Sequence, residues 1–179
     1  LSSAASALLE TEGASALSLR AIARRTGVAL GTVYYHYADK HALLAGLAAE
    51  GFRDLAAALR TATDGRGEGG GIRAAGMAYL SFVRARPALY GLMYEMRDVG
   101  RREEVEEAES AAFSEMVRAA SEDLRPGAEP EAVRQVAQAI WACARGIAAL
   151  ALARGGPGRL DSKTVQDAVQ GLEILVSGP

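Results

Sequence analysis

Residues 18–44 read SLRAIARRTGVALGTVYYHYADKHALL, and this stretch decides the fold. Ser18 stands where an N-cap belongs, ahead of a short helix over 19–25 whose inward positions are Leu19, Ile22 and Ala23. Thr26-Gly27-Val28 reads as a tight turn, because glycine reaches left-handed backbone at no steric cost. A second short helix is expected over 30–37, and Asp39 caps a long one that begins at Lys40. Two short helices about a glycine turn, braced by longer neighbours, form the pattern of a helix-turn-helix. Such a pair is useful only if one helix protrudes from a compact support.

The second short helix is unusual in composition. Val33 and Tyr37, with Val28 before them, fall on one side and would be buried, which leaves Gly31, Thr32, Tyr35 and His36 facing solvent. Hydroxyls of Thr32 and Tyr35 can donate to phosphate, and the Thr methyl can touch an apolar base edge. His36 is a further phosphate donor, and Gly31 removes a side chain where close approach is needed. Lys40 lies in the first turn of the next helix and Ser18 heads the previous one, so two helix N-termini favour an anion on the same side. Arg20 is one turn in from Ser18. The bland alternative stays open at this point, since an aromatic run such as Tyr34–Tyr37 serves as core as readily as contact. His36 and His41 are five apart, a poor spacing for a metal on a helix, and no metal site or cofactor is expected.

Working outward, the charge is uneven. Within 13–46 there are Arg20, Arg24, Arg25 and Lys40 against Asp39, a local net of +3 in a chain of net −2. The whole chain, with 20 Lys and Arg against 22 Asp and Glu in 179 residues, is no histone-like binder. Half of it is apolar, which excludes wholesale disorder. One cysteine, Cys143, excludes a disulfide framework and a Cys-rich metal site. No apolar run approaches the roughly 20 residues of a membrane span. The opening LSSAASALLE shows no signal peptide, so a cytoplasmic protein without membrane contact is expected. Without an initiator Met, a few residues are expected ahead of Leu1.

Helical spacing runs through the rest, and strand alternation is nearly absent. Helices are expected over 4–12, 19–25, 30–37, 40–62 and 72–86, then a short one from Pro87, then 101–124, 130–154 and 162–176. TDGRGEGGG at 63–71 is a loop, and Pro87 and Pro130 open helices at their first turn. The fold class is therefore all-α, with about nine helices.

Taken together, Ala23, Gly27, Val28, Gly31, Thr32, Val33, Tyr34, Tyr35, His36, Tyr37, Lys40, Leu43 and Leu44 closely resemble the DNA-binding signature of the TetR/AcrR (tetracycline-repressor) family. The match spans about 27 residues. Ala29 departs from it where many relatives carry a capping Ser, and Leu30 where a polar base reader is common. With Leu30, readout there would be apolar, against a thymine methyl, or absent. The resemblance implies a helix-turn-helix head over 1–46 and a ligand-binding and dimerisation domain over 47–179. It implies a regulator, not an enzyme, that binds a palindromic DNA operator as a homodimer and is released by a small-molecule effector. Ser18, Arg20, Leu30, Gly31, Thr32, Tyr34, Tyr35, His36 and Lys40 are its expected DNA contacts. A protein of the same fold whose head has lost DNA binding is the alternative, made thinkable by Ala29 and Leu30.

In the body, Met77, Tyr79, Leu80, Phe82, Val83, Tyr90, Leu92, Met93, Tyr94, Met96, Phe113 and Met116 gather most of the Met and aromatic residues, the mix that lines small-molecule pockets and equally fills ordinary cores. Met77, Leu80, Phe82, Tyr90, Met93, Tyr94, Phe113 and Met116 are the expected effector contacts among them. Residues 86–96 and the run Trp141–Gly146 resemble the C-terminal domain type named for a Trp-His-Gly pattern. Here Arg145 replaces the His, so a different, anionic effector is implied, with Trp141 and Arg145 in its site. Helices 130–154 and 162–176 carry apolar positions on more than one side and many small residues, as expected if each contacts both a core and a partner, and the resemblance implies a two-fold interface of these helices. Glu103, Glu104, Glu106, Glu107 and Glu109 read as a solvated face, and Cys143 as a small core residue.

Overall fold

The computed structural model describes residues 1–64, 70–100, 103–124 and 127–153, and of the remainder only Lys163, Gln170 and Gly171. Eight helices follow one another: α1 (Ser2–Glu12), α2 (Leu19–Thr26), α3 (Leu30–His36), α4 (Lys40–Thr63), α5 (Gly71–Ala85), α6 (Pro87–Gly100), α7 (Glu103–Asp123) and α8 (Pro130–Ala153). Among the described residues there is no strand, and the all-α expectation holds. Of the helix expected over 162–176 only Lys163, Gln170 and Gly171 are described, all three helical, and the rest lies outside the described residues, as does most of the glycine-rich loop. No helix is long and apolar enough to cross a membrane among the described residues.

Local signals set the ends. Ser18 accepts the Ala21 N–H on its Oγ at 3.1 Å, and Asp39 accepts the Ala42 N–H at 2.7 Å, so both expected caps form. Gly27, at φ 72°, ends α2 in left-handed backbone and donates its N–H to the Ala23 carbonyl. α3 starts at Ala29 with no side-chain cap. Pro87 and Pro130 are the first residues of α6 and α8, where a missing N–H costs nothing. α6 runs to Gly100, longer than its sequence suggested.

The chain packs as two compact units. The first comprises residues 1–53 and 86–109, so α6 shares a core with the short N-terminal helices. Leu8, Leu9, Ile22, Val33, Leu43 and Phe52 are fully or nearly fully buried there, with Leu89, Leu92 and Met93 of α6. Each such side chain contributes about 1.5–3 kcal/mol on leaving water. Gly51 is required by this packing: a Cβ there would lie 2.7 Å from Met93 Sδ and 3.2 Å from Leu89 Cγ.

The second unit comprises residues 54–85 and 110–179. Its core holds Leu55, Leu59, Ile72, Tyr79, Met116, Ile140 and Trp141. Asp123, at the end of α7, accepts the N–H groups of Gly71 and Ile72 at 2.9 and 2.8 Å and so caps α5. Gly71 meets the Ala119 carbonyl so closely that a Cβ would stand 2.8 Å from it, which explains the glycine. Arg118 bridges to Glu115, Glu122, Asp64 and the Thr63 hydroxyl, and the carboxylate beside it, Glu115 first, holds its guanidinium above its ordinary basicity.

Cys143 is exposed, contrary to the core position expected for it. The buried side of α8 is Val133, Ala137, Ile140, Trp141, Ala144 and Ala148, and residue 143 falls on the other side with Ala139, Ala142 and Gly146.

Candidate nucleic-acid interface

The surface begins with what α3 leaves outside. Val33 is fully buried and anchors the helix, whereas Tyr37 and Val28 are only half-buried. Gly31, Thr32, Tyr34, Tyr35 and His36 are exposed. Tyr35 is 87% accessible and Tyr34 50%, so neither is core. An aromatic ring held this far into water on a rigid helix is an unusual exposure for its type. The Tyr35 and His36 rings meet edge to face, their centroids 5.5 Å apart. Leu30 is half-buried, which limits what it can read.

Beside α3 lies a cavity of about 330 Å³ lined by Ser18, Leu19, Arg20, Tyr34, Ala38, Asp39 and Lys40. It joins the start of α2 to the start of α4, so four of the expected contacts (Ser18, Arg20, Tyr34 and Lys40) share one concavity. The N-terminal amides of α2 and α4 and two cations favour an anion there. The Lys40 Nζ donates to the Ala14 carbonyl at 3.0 Å, a tether that the sequence did not reveal. Arg24 is also exposed, one turn beyond Arg20 on α2; the i, i+4 spacing of the two was the available signal. Arg25 pairs with Glu12 at 4.0 Å, a solvated contact worth little.

The residues expected to hold an effector divide between the two units. In the first, Tyr90, Met93 and Tyr94 are buried, and Tyr94 packs against Tyr90 at 5.0 Å and against Phe52 at 5.5 Å between centroids. In the second, Leu80, Phe82, Met116 and Trp141 are buried and Phe113 and Arg145 half-buried. Trp141 stands between Tyr79 at 5.3 Å and Phe113 at 5.8 Å, both edge to face. Met77, by contrast, is exposed on α5. Tyr79, part of the Met and aromatic stretch read from the sequence, and Phe52, outside it, belong to these aromatic groups as well.

Among the acids of α7, Glu103, Glu104, Glu106 and Glu107 are exposed, whereas Glu109 is mostly covered and pairs with Arg97 at 3.0 Å. Among the described residues, no group of His, Cys, Asp and Glu could hold a metal ion.

Known families meet the chain at both ends. Residues 1–47 match the family described as bacterial regulatory proteins, tetR family. Residues 72–171, more than half the chain, match the tetracyclin repressor-like C-terminal domain. The chain belongs to the TetR family of transcriptional regulators. Solved structures agree. A protein of unknown function from Rhodococcus sp. RHA1 is 32% identical, with a TM-score of 0.78 over 98% of this chain and 91% of that one. The TetR family transcriptional regulator PfmR from Thermus thermophilus shares the fold at 14% identity, with a TM-score of 0.68 over 99% and 97% of the two chains. A TetR variant from Acinetobacter baumannii AYE, solved in complex with minocycline, does so at 18% identity, with a TM-score of 0.65 over 99% and 92%. No curated protein is similar enough in sequence to count as a match. As a TetR-family member the chain is a ligand-responsive, DNA-binding transcriptional regulator.

Proposed function

We propose that this regulator is a repressor that holds a palindromic operator as a homodimer and lets go when a small molecule binds. The exposure of Tyr35 beside Thr32 and His36, next to the cavity of Ser18, Arg20, Tyr34 and Lys40, carries the reading. Residues 1–46 supply the DNA contacts and residues 47–179 the effector site and the dimer contact. One seven-residue recognition helix reads too few bases for specificity, whereas two about one DNA turn apart, ~34 Å, read a palindrome. On α8 the exposed side carries Ala132, Ala139, Ala142, Cys143, Gly146 and Ala149, small enough for a second helix to approach closely, which supports a dimer through α8 and residues 162–176. The effector has two candidate sets, each within one unit: Tyr90, Met93 and Tyr94 in the first, and Leu80, Phe82, Phe113, Met116, Trp141 and Arg145 in the second. Proteins of this fold include one in complex with minocycline, which supports a drug-sized, partly apolar effector. To move operator occupancy from 99:1 to 1:99, the effector must prefer the released form by ~10⁴-fold, about 5.5 kcal/mol.

The test is a binding selection from random duplex DNA at about 150 mM salt, with sequencing of what the purified protein retains. An enriched palindrome is the expected result. Binding that shows no enrichment and vanishes as salt rises would overturn the operator reading and leave a sensor whose head no longer reads DNA.

A further inference from the structure

α1 and α6 meet at a carboxylate. Pro87 opens α6 and has no N–H, so Ala88 and Leu89 carry the first amides that the helix cannot satisfy. Glu10, in the last turn of α1, accepts both: Oε2 takes the Ala88 N–H at 3.2 Å and Oε1 the Leu89 N–H at 2.8 Å. A carboxylate shared by two amides at a helix N-terminus is a charge-assisted contact reinforced by the dipole. It spans 78 and 79 residues of sequence, so it fixes two distant helices and is no local cap.

The same end of α1 leads straight to the anion-facing surface. Four residues after Glu10, the Ala14 carbonyl receives the Lys40 ammonium, and Glu12 meets Arg25 of α2. The Lys40–Ala14 and Glu10–Leu89 contacts thus stand four residues apart on one stretch of chain, where α1 ends, and inside one compact unit.

We infer that Glu10 is a positioning residue that couples DNA occupancy of the head to the start of α6, the helix that carries Tyr90, Met93 and Tyr94 of the proposed effector set. The inference rests on the DNA-binding reading above. Phosphate held at Ser18, Arg20 and Lys40 immobilises the loop after α1, and Glu10 then releases its two amides less often. Linkage makes the effect reciprocal: whatever draws Ala88 and Leu89 off Glu10 weakens the head's hold on DNA by the same factor.

The experiment is amide hydrogen exchange read by NMR on the full chain, free and saturated with duplex. The duplex is the one recovered by the selection or, should none be recovered, mixed-sequence duplex at about 50 mM salt. Exchange at Ala88 and Leu89 is expected to slow by about five-fold or more on DNA. Gly71 and Ile72, capped in the same way by Asp123 on the other unit, serve as the control and should not change. In Glu10→Gln the slowing at Ala88 and Leu89 should vanish and DNA affinity should fall about five-fold or more. No slowing on bound DNA, equal slowing at both helix starts, or slowing that persists in Glu10→Gln would overturn the coupling alone. A chain that binds neither duplex would overturn it together with the DNA-binding reading. If Glu10→Gln does not fold, the comparison of the two helix starts in the wild-type chain still decides.

Discussion

The ammonium of Lys40 donates to the Ala14 carbonyl at 3.0 Å, so the first turn of α4 holds the loop that precedes α2. An ammonium has three donors, and two remain for a phosphate in the adjoining cavity. Lys40→Ala removes charge and tether together. DNA affinity should fall on every sequence, and the slope of log affinity against log salt should flatten by about one. Anisotropy titrations at several salt concentrations measure both, and an unchanged slope would remove Lys40 from the interface.

Tyr35 and Val33 are two residues apart on α3 and separate binding from folding. Tyr35 is 87% exposed and Val33 fully buried. Tyr35→Ala should leave stability within about 0.5 kcal/mol while weakening DNA binding. Val33→Ala should cost about 2 kcal/mol through lost burial and the cavity left behind. Denaturant melts beside DNA titrations make the comparison. Equal stability losses in the two variants would show that the Tyr35 ring is a packing residue after all.

Much of this was legible in the sequence because its causes are local. Ser18, Gly27, Asp39, Pro87 and Pro130 act on amides within a turn of themselves, and each helix end follows from the residue that sets it. The outward face of α3 followed from helical period alone. What stayed hidden depends on residues far apart in sequence. Nothing near Pro87 announces that Glu10 caps α6, and nothing near Lys40 announces Ala14. Cys143 was misplaced for a different reason. α8 carries Ala on every side, so hydrophobic periodicity could not tell Ala137, Ala144 and Ala148, which are buried, from Ala139 and Ala142, which are not. Met77 was placed with the effector residues on composition alone, and its exposure follows from the turn of α5 on which it stands.

Gly51 and Met93 press α4 against α6 inside the first unit. A Cβ at residue 51 would stand 2.7 Å from Met93 Sδ and 2.9 Å from its Cγ, and Met93 is fully buried with little room to move. Gly51→Ala should therefore destabilise by about 1–3 kcal/mol despite alanine's better helix propensity. Met93→Ala makes the room. The double variant should be less destabilised than the two single losses added together, and strict additivity in denaturant melts would contradict the contact.

Tyr37 sets an alkaline limit. Burial first, then the carboxylates of Glu50 and Glu104, raise its phenol above the ordinary value of 10.0. The fold holds this proton more tightly than the unfolded chain does. The stability it lends is complete below pH 10.0 and is lost as pH climbs from there through the folded value. Tyr37→Phe keeps the ring over Gly46 and removes the titration. Its unfolding free energy should fall less than that of the wild type above pH 10.0, and parallel curves for the two proteins would refute the assignment.

Trp141 is the chain's one tryptophan and lies edge to face with Tyr79 and Phe113, with Arg145 one turn further along α8. Its emission therefore reports on the aromatic group that the proposed effector would touch. A screen of partly apolar anions by tryptophan quenching should find compounds that change the emission and, at the same concentrations, release operator DNA. Arg145→Gln should weaken binding of an anionic hit by about ten-fold or more, since a charge-assisted hydrogen bond contributes about 1.5–3 kcal/mol, while a neutral hit should be indifferent to it. Phe113→Ala should weaken both kinds, because it removes apolar contact whatever the charge. If compounds release DNA without altering the Trp141 emission, the effector sits elsewhere, and Tyr90, Met93 and Tyr94 of α6 become the residues to substitute next.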